Sequence, residues 1–171
     1  MTSELSQDSL PTGIENAVQL PEESGQAFDV WFGYNIGSHH FVLDKSLLTE
    51  IVIRPPIYAI PRSPAWLHGV INLRGNILAV IDLSESLSTT YRSNPGEYVL
   101  VIDKGADALA LIVDSPPKSL INPEPAPSPS AGNGFKTDFI QAGVQSENIL
   151  WMQLDAKALV KSLGANTWNQ Q

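Results

Sequence analysis

Apolar runs in this chain are short, and turn-forming residues separate them at the spacing of β-hairpins. From Phe28 onward, short runs rich in Val, Ile, Leu and Phe alternate with Gly, Pro, Asn, Asp or Ser. These runs fall far below the roughly 20 apolar residues that cross a bilayer, and few show helical periodicity. The pattern predicts an all-β barrel or sandwich of eight or nine strands, with no direct membrane insertion.

The densest run, GVINLRGNILAVIDL at residues 69–83, is typical of a β-hairpin. Gly75-Asn76 suits a two-residue turn, which predicts that Arg74 lies opposite Ile77 in the flanking strands. One face of the hairpin is then wholly apolar and belongs to the core: Ile71, Leu73, Leu78 and Val80. The other face mixes polar and aliphatic residues, and from the pattern alone Arg74 there either bonds to loop carbonyls or meets a partner protein.

Three further segments carry local signals. SPAWLHG (63–69) predicts one helical turn, with Ser63 as N-cap and Gly69 as its stop. The proline-rich residues 116–129 predict an extended loop. LDAKALVKSLG (154–164) predicts a short C-terminal helix, with Asp155 as N-cap and Gly164 as its stop.

Composition divides the 171-residue chain into a body and two tails. Residues 1–25 are rich in Ser, Glu, Gln and Pro and predict a disordered acidic tail, followed by one domain over 26–165 and a tail over 166–171. The net charge is −8, and residues 1–27 hold five acidic residues and no basic one, so the body is nearly neutral. Without a basic stripe, nucleic acid is not an expected partner.

The sequence lacks the residue patterns of common active sites. It contains no cysteine, no glycine-rich phosphate loop, no G-x-S-x-G and no H-E-x-x-H. His39 and His40 are adjacent and would point to opposite faces of a strand, which is the wrong geometry for joint metal ligation. The chain is predicted to be neither an enzyme nor a metal or cofactor protein, and the lack of cysteine and of a secretory signal favours the cytoplasm.

A longer stretch resembles a known family. IPRSPAWLHGVINLRGNILAVIDL (60–83) resembles the central signature of CheW-like domains, in which prolines and a glycine precede N-L-R-G and an apolar strand closes on D-L. LLTEI (47–51), ALALIVD (108–114) and ILWMQLDAKALV (149–160) are similar to flanking elements of the same family. The resemblance runs from about Phe28 to Leu163.

This resemblance implies two small five-stranded SH3-like β-barrels packed on a shared apolar interface, with a short C-terminal helix. It implies a non-enzymatic adaptor that couples the cytoplasmic tip of methyl-accepting chemoreceptors to a CheA-type histidine kinase, in chemotaxis or type IV pilus motility. Such an adaptor would be cytoplasmic and recruited to membrane receptor arrays. Six residues match family positions tied to partner binding or lying beside them: Arg74, Glu50, Asn72, Leu48, Gly69 and Val113.

The chain also departs from the family. Its acidic tail is long, and Pro116-Pro117 follows a strand where a regular extended segment is usual. These departures leave open the shape of the second barrel around residues 116–134, and with it the receptor-facing groove. The alternative function is a ligand- or peptide-binding barrel that regulates another signalling protein, for which a deep apolar pocket is expected.

Overall fold

The computed structural model describes residues 28–84, 86–87, 97–103, 108–127 and 138–168. The predicted acidic tail lies outside these residues, as does the end of the predicted C-terminal tail. The described part contains eleven strands and a helix: β1 Val30–Ile36, β2 His39–Leu43, β3 Thr49–Ile53, β4 Leu67–Leu73, β5 Asn76–Ile81, β6 Tyr98–Ile102, β7 Leu109–Val113, β8 Lys118–Ile121, β9 Glu124–Ala126, β10 Ile140–Ser146, β11 Ile149–Leu154 and α1 Ala156–Trp168.

The first barrel has the strand order β8-β1-β2-β11-β10-β9. Only Asn122 and Pro123 separate β8 from β9, so these two outer strands act as one bent strand that closes the sheet into a five-stranded barrel. Trp151 fills its interior, and it fits because Gly33 has no side chain: a Cβ there would lie 2.2 Å from the indole ring. The other buried residues of this interior are Val42, Leu120 and Val144.

The second barrel has the strand order β3-β6-β7-β5-β4. It closes beyond β3, where the backbones of Tyr58 and Val70 exchange hydrogen bonds of 2.8 and 2.9 Å. Its interior is built from β-branched and other aliphatic residues, as expected for strands. These are Ile71, Leu78, Val80, Val99, Val101, Ala110 and Ile112.

A third and larger apolar cluster joins the two barrels. Residues of β1 and β2 meet residues of β6 and β7 there, and α1 covers the cluster with Leu159 and Leu163. Because β6 and β7 have a barrel interior on one side and this interface on the other, every residue of β7 is buried. Two barrels on a shared apolar interface confirm the predicted fold class.

The hairpin exists, but the predicted position of its turn is wrong. Leu73 pairs with Asn76, so Arg74 and Gly75 form the turn, with φ angles of 52° and 88°. Hairpins with two-residue turns of this kind need positive φ at both positions. The Asn72 side chain supports this turn by accepting a 2.9 Å hydrogen bond from the Gly75 amide.

The predicted division of the hairpin into two faces mostly holds. The observed strand pairing is shifted by two residues from the predicted one, and a shift of two leaves each side chain on the same face. Ile71, Leu78 and Val80 are buried and Leu73 is partly buried, as predicted. Ile81 is the exception on the mixed face, since it is buried in the interface between the barrels.

Three local predictions are wrong. Residues 63–69 form turns and the start of β4 rather than a helical turn, and the Ser63 hydroxyl donates to the Leu67 carbonyl at 3.1 Å. The proline-rich stretch contains β8 and β9, because proline is tolerated in short outer strands, and both strands belong to the first barrel, not to the second as expected. The helix does not stop at Gly164 but continues to Trp168.

Candidate protein-docking site

Arg74 and Glu50 form a bidentate ion pair at the open end of the second barrel. The Arg74 Nη1 and Nη2 atoms lie 2.8 and 2.7 Å from the two carboxylate oxygens of Glu50. Arg74 is the first residue of the β4–β5 turn and Glu50 is the second residue of β3. No ladder joins β3 to β4 among the described residues, so the pair bridges the gap between the outer strands.

This pair adds little to stability. The Arg74 side chain is 73 % exposed and that of Glu50 39 %, and exposed ion pairs contribute about 0–1 kcal/mol. The left-handed backbone of Arg74 costs a non-glycine residue about 1–2 kcal/mol. Glycine would fold this turn as well as arginine does, so stability does not account for a guanidinium here.

Aliphatic side chains lie beside the charged pair, together with the polar residues Thr49, Asn76 and Asp103. A cavity of about 230 Å³ opens beside the pair, and Leu48, Leu73, Leu78 and Val101 contribute its aliphatic lining. Leu48 is 54 % exposed, so this side chain stands beside the ion pair in solvent. An arginine next to exposed aliphatic residues is typical of protein–protein contacts, because the apolar neighbours exclude water from the charge.

The structure brings together only part of the residue set that the sequence analysis assigned to partner binding. Arg74, Glu50 and Leu48 line one surface. Asn72 is exposed next to them and holds the turn. Gly69 lies inside β4, where a Cβ would come within 2.5 Å of the Tyr58 carbonyl oxygen, and Val113 is fully buried between the barrels.

Sequence reasoning missed the contribution of Leu73 and Val101 to this surface. Their alternating pattern assigns them to the core, and Val101 is indeed buried within the second barrel. They border the cavity because the barrel is open at this end. No local signal distinguishes an inward residue at the mouth of a barrel from one at its centre.

A second cavity, of about 420 Å³, lies between α1 and the second barrel. It is largely apolar, and Trp66, Ile81, Leu109, Val160 and Leu163 are among its lining residues. Within the described ranges, no three His, Cys, Asp or Glu residues group as metal ligands, and no helix is long and apolar enough to cross a bilayer.

A family model described as CheW-like domain matches residues 31–164, which is most of the chain. The chain belongs to the CheW-like domain family. This family consists of non-enzymatic scaffold proteins, in agreement with the prediction that the chain is not an enzyme. It comprises scaffolding and coupling proteins of chemotaxis and pilus signalling.

Individual relatives agree with the family. The chain is 32 % identical to the probable chemotaxis protein CheW of Rhizobium etli over 83 residues, which cover 48 % of this chain and 54 % of that one. It is 24 % identical to the chemotaxis protein CheW of Rhizobium meliloti over 128 residues, covering 72 % and 83 %. It is 29 % identical to protein PilI of Pseudomonas aeruginosa over 101 residues, covering 57 % and 56 %. Two of these alignments thus span only about half of the relative.

A solved structure supports the fold. The crystal structure of the scaffolding protein TtCheW from Thermoanaerobacter tengcongensis superimposes with a TM-score of 0.62 at 22 % identity. The match covers 73 % of this chain and 87 % of that one. Both barrels of this CheW-like domain therefore follow a known architecture.

Proposed function

We propose that this CheW-like protein is an adaptor that couples the cytoplasmic tip of methyl-accepting chemoreceptors to a CheA-type histidine kinase. It acts in chemotaxis or in type IV pilus motility, in the cytoplasm, at membrane receptor arrays. The observation that carries the proposal is the exposed Arg74–Glu50 pair beside Leu48. It lies on a turn where the cost of the left-handed backbone is not offset by a gain in stability from the ion pair.

In this proposal Arg74 and Glu50 contact a partner directly, and Leu48 supplies the apolar contact next to them. Asn72 acts indirectly, because its side chain fixes the turn that presents Arg74. Gly69 and Val113 act only through the fold, since one is enclosed by Tyr58 and the other has no exposed surface.

The test is a reconstitution with purified kinase and receptor cytoplasmic fragment from the same organism. We expect the kinase to co-sediment with the receptor fragment only when the chain is present. Arg74→Gly is expected to weaken binding of at least one partner by about tenfold or more, as for a central interface arginine. Its free energy of unfolding should stay within about 1 kcal/mol of wild type, because relief of the strained backbone offsets the lost ion pair.

A charge swap separates docking from a purely structural role. Glu50→Arg combined with Arg74→Glu keeps an ion pair across the gap but inverts its polarity, so binding should fall while the thermal midpoint holds. Arg62→Gly is the matched control, because Arg62 is also exposed and left-handed, with φ 61°, but lies away from this cavity. Normal binding by both Arg74→Gly and the swap would remove this surface from the proposal.

The apolar cavity beside α1 favours a second candidate, a module that binds a small molecule or peptide. Its volume of about 420 Å³ lies within the roughly 300–1,000 Å³ of typical ligand sites. That function predicts a rise of the thermal midpoint with an apolar ligand in a screen, and no association with the kinase.

A further inference from the structure

The two barrels are built from equivalent strands. The order β8-β1-β2-β11-β10 in the first matches β3-β6-β7-β5-β4 in the second. The directions match as well: β1–β2 and β6–β7 are antiparallel, whereas β2–β11 and β7–β5 are parallel. The sequence shows no repeat of fixed period, because the first barrel takes its strands from both ends of the domain.

The equivalence extends to single residues where each barrel closes. After β8, the Asn122 amide donates to the carbonyl of Asp29, which precedes β1, at 2.7 Å. After β3, the Arg54 amide donates at the same distance to the carbonyl of Glu97, which precedes β6. Asn122 and Arg54 both have left-handed backbones, with φ 48° and 47°, and a proline follows each.

This residue-by-residue correspondence between the barrels identifies a counterpart for the candidate docking pair. Lys118 stands as far before Asn122 as Glu50 stands before Arg54. The β10–β11 turn is formed by Glu147 and Asn148, both left-handed like the β4–β5 turn, with φ 52° and 62°. Glu147 therefore occupies the position of Arg74 in the other barrel.

The counterparts also form an ion pair, with the charges exchanged and with a single contact in place of two. Lys118 Nζ lies 2.5 Å from Glu147 Oε2. In both pairs the turn residue is the more exposed partner: the Glu147 side chain is 70 % exposed against 48 % for Lys118. The second barrel therefore presents mainly a guanidinium at this position, and the first barrel mainly a carboxylate.

We infer that the Lys118–Glu147 pair marks a second docking site, on the first barrel, which accepts a basic segment of a partner protein. The inference rests on the proposed function, because it extends docking at Arg74–Glu50 to the equivalent pair. An adjacent groove of about 440 Å³ contains Glu124 as well as Glu147, and Ile121 lines it with an exposed aliphatic side chain.

The groove suits a lysine or arginine side chain. Its carboxylates accept charge-assisted hydrogen bonds, and Ile121 can cover the aliphatic stem of the incoming residue. Docking through side chains is favoured over strand addition, because Pro125 lacks a backbone donor within the outer strand β9 and Pro123 lacks one directly before it. The two barrels thus offer sites of opposite polarity, which suits two different partners.

Three variants of the full chain test this site in separate binding assays with the purified kinase and with the receptor fragment. Glu147→Lys places two cations together, and Lys118→Glu combined with Glu147→Lys keeps the pair but inverts its polarity. We expect both to weaken binding of one partner by about tenfold or more, with a wild-type thermal midpoint for the swap. Asp138→Lys, the same charge change at an exposed carboxylate outside the groove, should bind normally.

Arg74→Gly in the same assays separates this inference from the proposed function. If Arg74→Gly loses binding while the Lys118/Glu147 swap binds both partners like wild type, the second site is refuted and the first stands. If only the Lys118/Glu147 swap loses binding, the second site stands and the Arg74 surface fails. Wild-type binding of the partner that the swap loses should weaken as the ionic strength rises, because that contact depends on charge.

Discussion

Gly69 illustrates how a position associated with binding can act through the fold. Its Cα is enclosed, so that a Cβ would lie 2.5 Å from the Tyr58 carbonyl oxygen and 2.9 Å from a methyl carbon of Ile57. Neither group can retreat easily, because Tyr58 and Val70 exchange two backbone hydrogen bonds that close the barrel. Any larger residue must therefore push the closing segment outward.

We expect Gly69→Ala to lower the free energy of unfolding by about 1–3 kcal/mol, the usual cost of overpacking. Urea unfolding measures this change, and binding should fall only in proportion to the unfolded fraction. Gly164→Ala is the control, since nothing lies within 4 Å of that position and alanine is the better helix former. A Gly69→Ala protein with a wild-type urea midpoint but no partner binding would show that this glycine contacts the partner.

At the scale of residues, the sequence predicts the core face of the hairpin but not its turn. Gly75 permits two registers: it can be the first turn residue, followed by Asn76, or the second, preceded by Arg74. In the observed register Arg74 pairs with Glu50, which lies 24 positions earlier in the chain. A tertiary contact of that kind leaves no trace in the local pattern, and only the family resemblance indicated that the two residues belong together.

At the scale of elements, α1 depends on its predicted N-cap. Asp155 Oδ1 accepts hydrogen bonds from the amides of Ala158 at 3.0 Å and Lys157 at 2.9 Å. Its other oxygen accepts a 2.5 Å bond from the Gln141 side chain, which ties the helix to β10. These bonds, that of the Ala158 amide foremost, hold the pKa of the Asp155 carboxyl below its ordinary value.

Asp155→Asn should therefore change the pH dependence of stability more than stability itself. At pH 7 asparagine caps a helix about as well as aspartate, so the free energy of unfolding of the variant should lie within about 0.5 kcal/mol of that of wild type. The stability that the wild type gains from the lowered pKa of the Asp155 carboxyl is fully present above the unfolded pKa of about 3.9. It is lost as the pH falls through the lower folded pKa.

Urea unfolding between roughly pH 7 and pH 2.5 tests this expectation. Below about pH 4 the wild type should lose stability relative to Asp155→Asn. Glu124→Gln, which removes an exposed carboxylate on β9, serves as the comparison and should follow wild type more closely. Parallel curves for Asp155→Asn and wild type would mean that the cap carries no proton linkage.

Element prediction failed where proline and glycine have more than one use. The proline-rich stretch was predicted as a loop, yet β8 and β9 occur there as short outer strands with prolines between and within them. Gly69 was predicted to stop a helical turn, but it serves a bulge in β4 and a close backbone approach. Both outcomes depend on which strands lie alongside, and that is not local information.

At the scale of the whole molecule, the first barrel is discontinuous in sequence. β1 and β2 precede the entire second barrel, and β8 to β11 follow it. Periodicity predicts the strands themselves, but it cannot show that residues near 30–43 pair with residues near 118–154. The two-barrel arrangement was accessible only through resemblance to CheW-like domains.

This interleaving predicts that the barrels unfold together. Val113, at the end of β7, is fully buried in the cluster shared by both barrels. Val113→Ala should lower the free energy of unfolding by about 1–3 kcal/mol, because it removes buried methyl groups and leaves a cavity. Well below its midpoint, the folded variant should bind its partners normally, since Val113 offers no surface.

Hydrogen exchange of backbone amides measures whether the loss is shared. Although Val113 belongs to the second barrel, amides of β11 in the first barrel should lose protection by about the same free energy as those of β6, because the common core must open for either barrel to unfold. Ile112→Val, a smaller change inside the second barrel and away from the shared cluster, is the comparison, and its smaller loss of protection should reach β11 as well. If Val113→Ala left β11 at wild-type protection, the barrels would be separate cooperative units, and their interface would be a contact surface rather than a core.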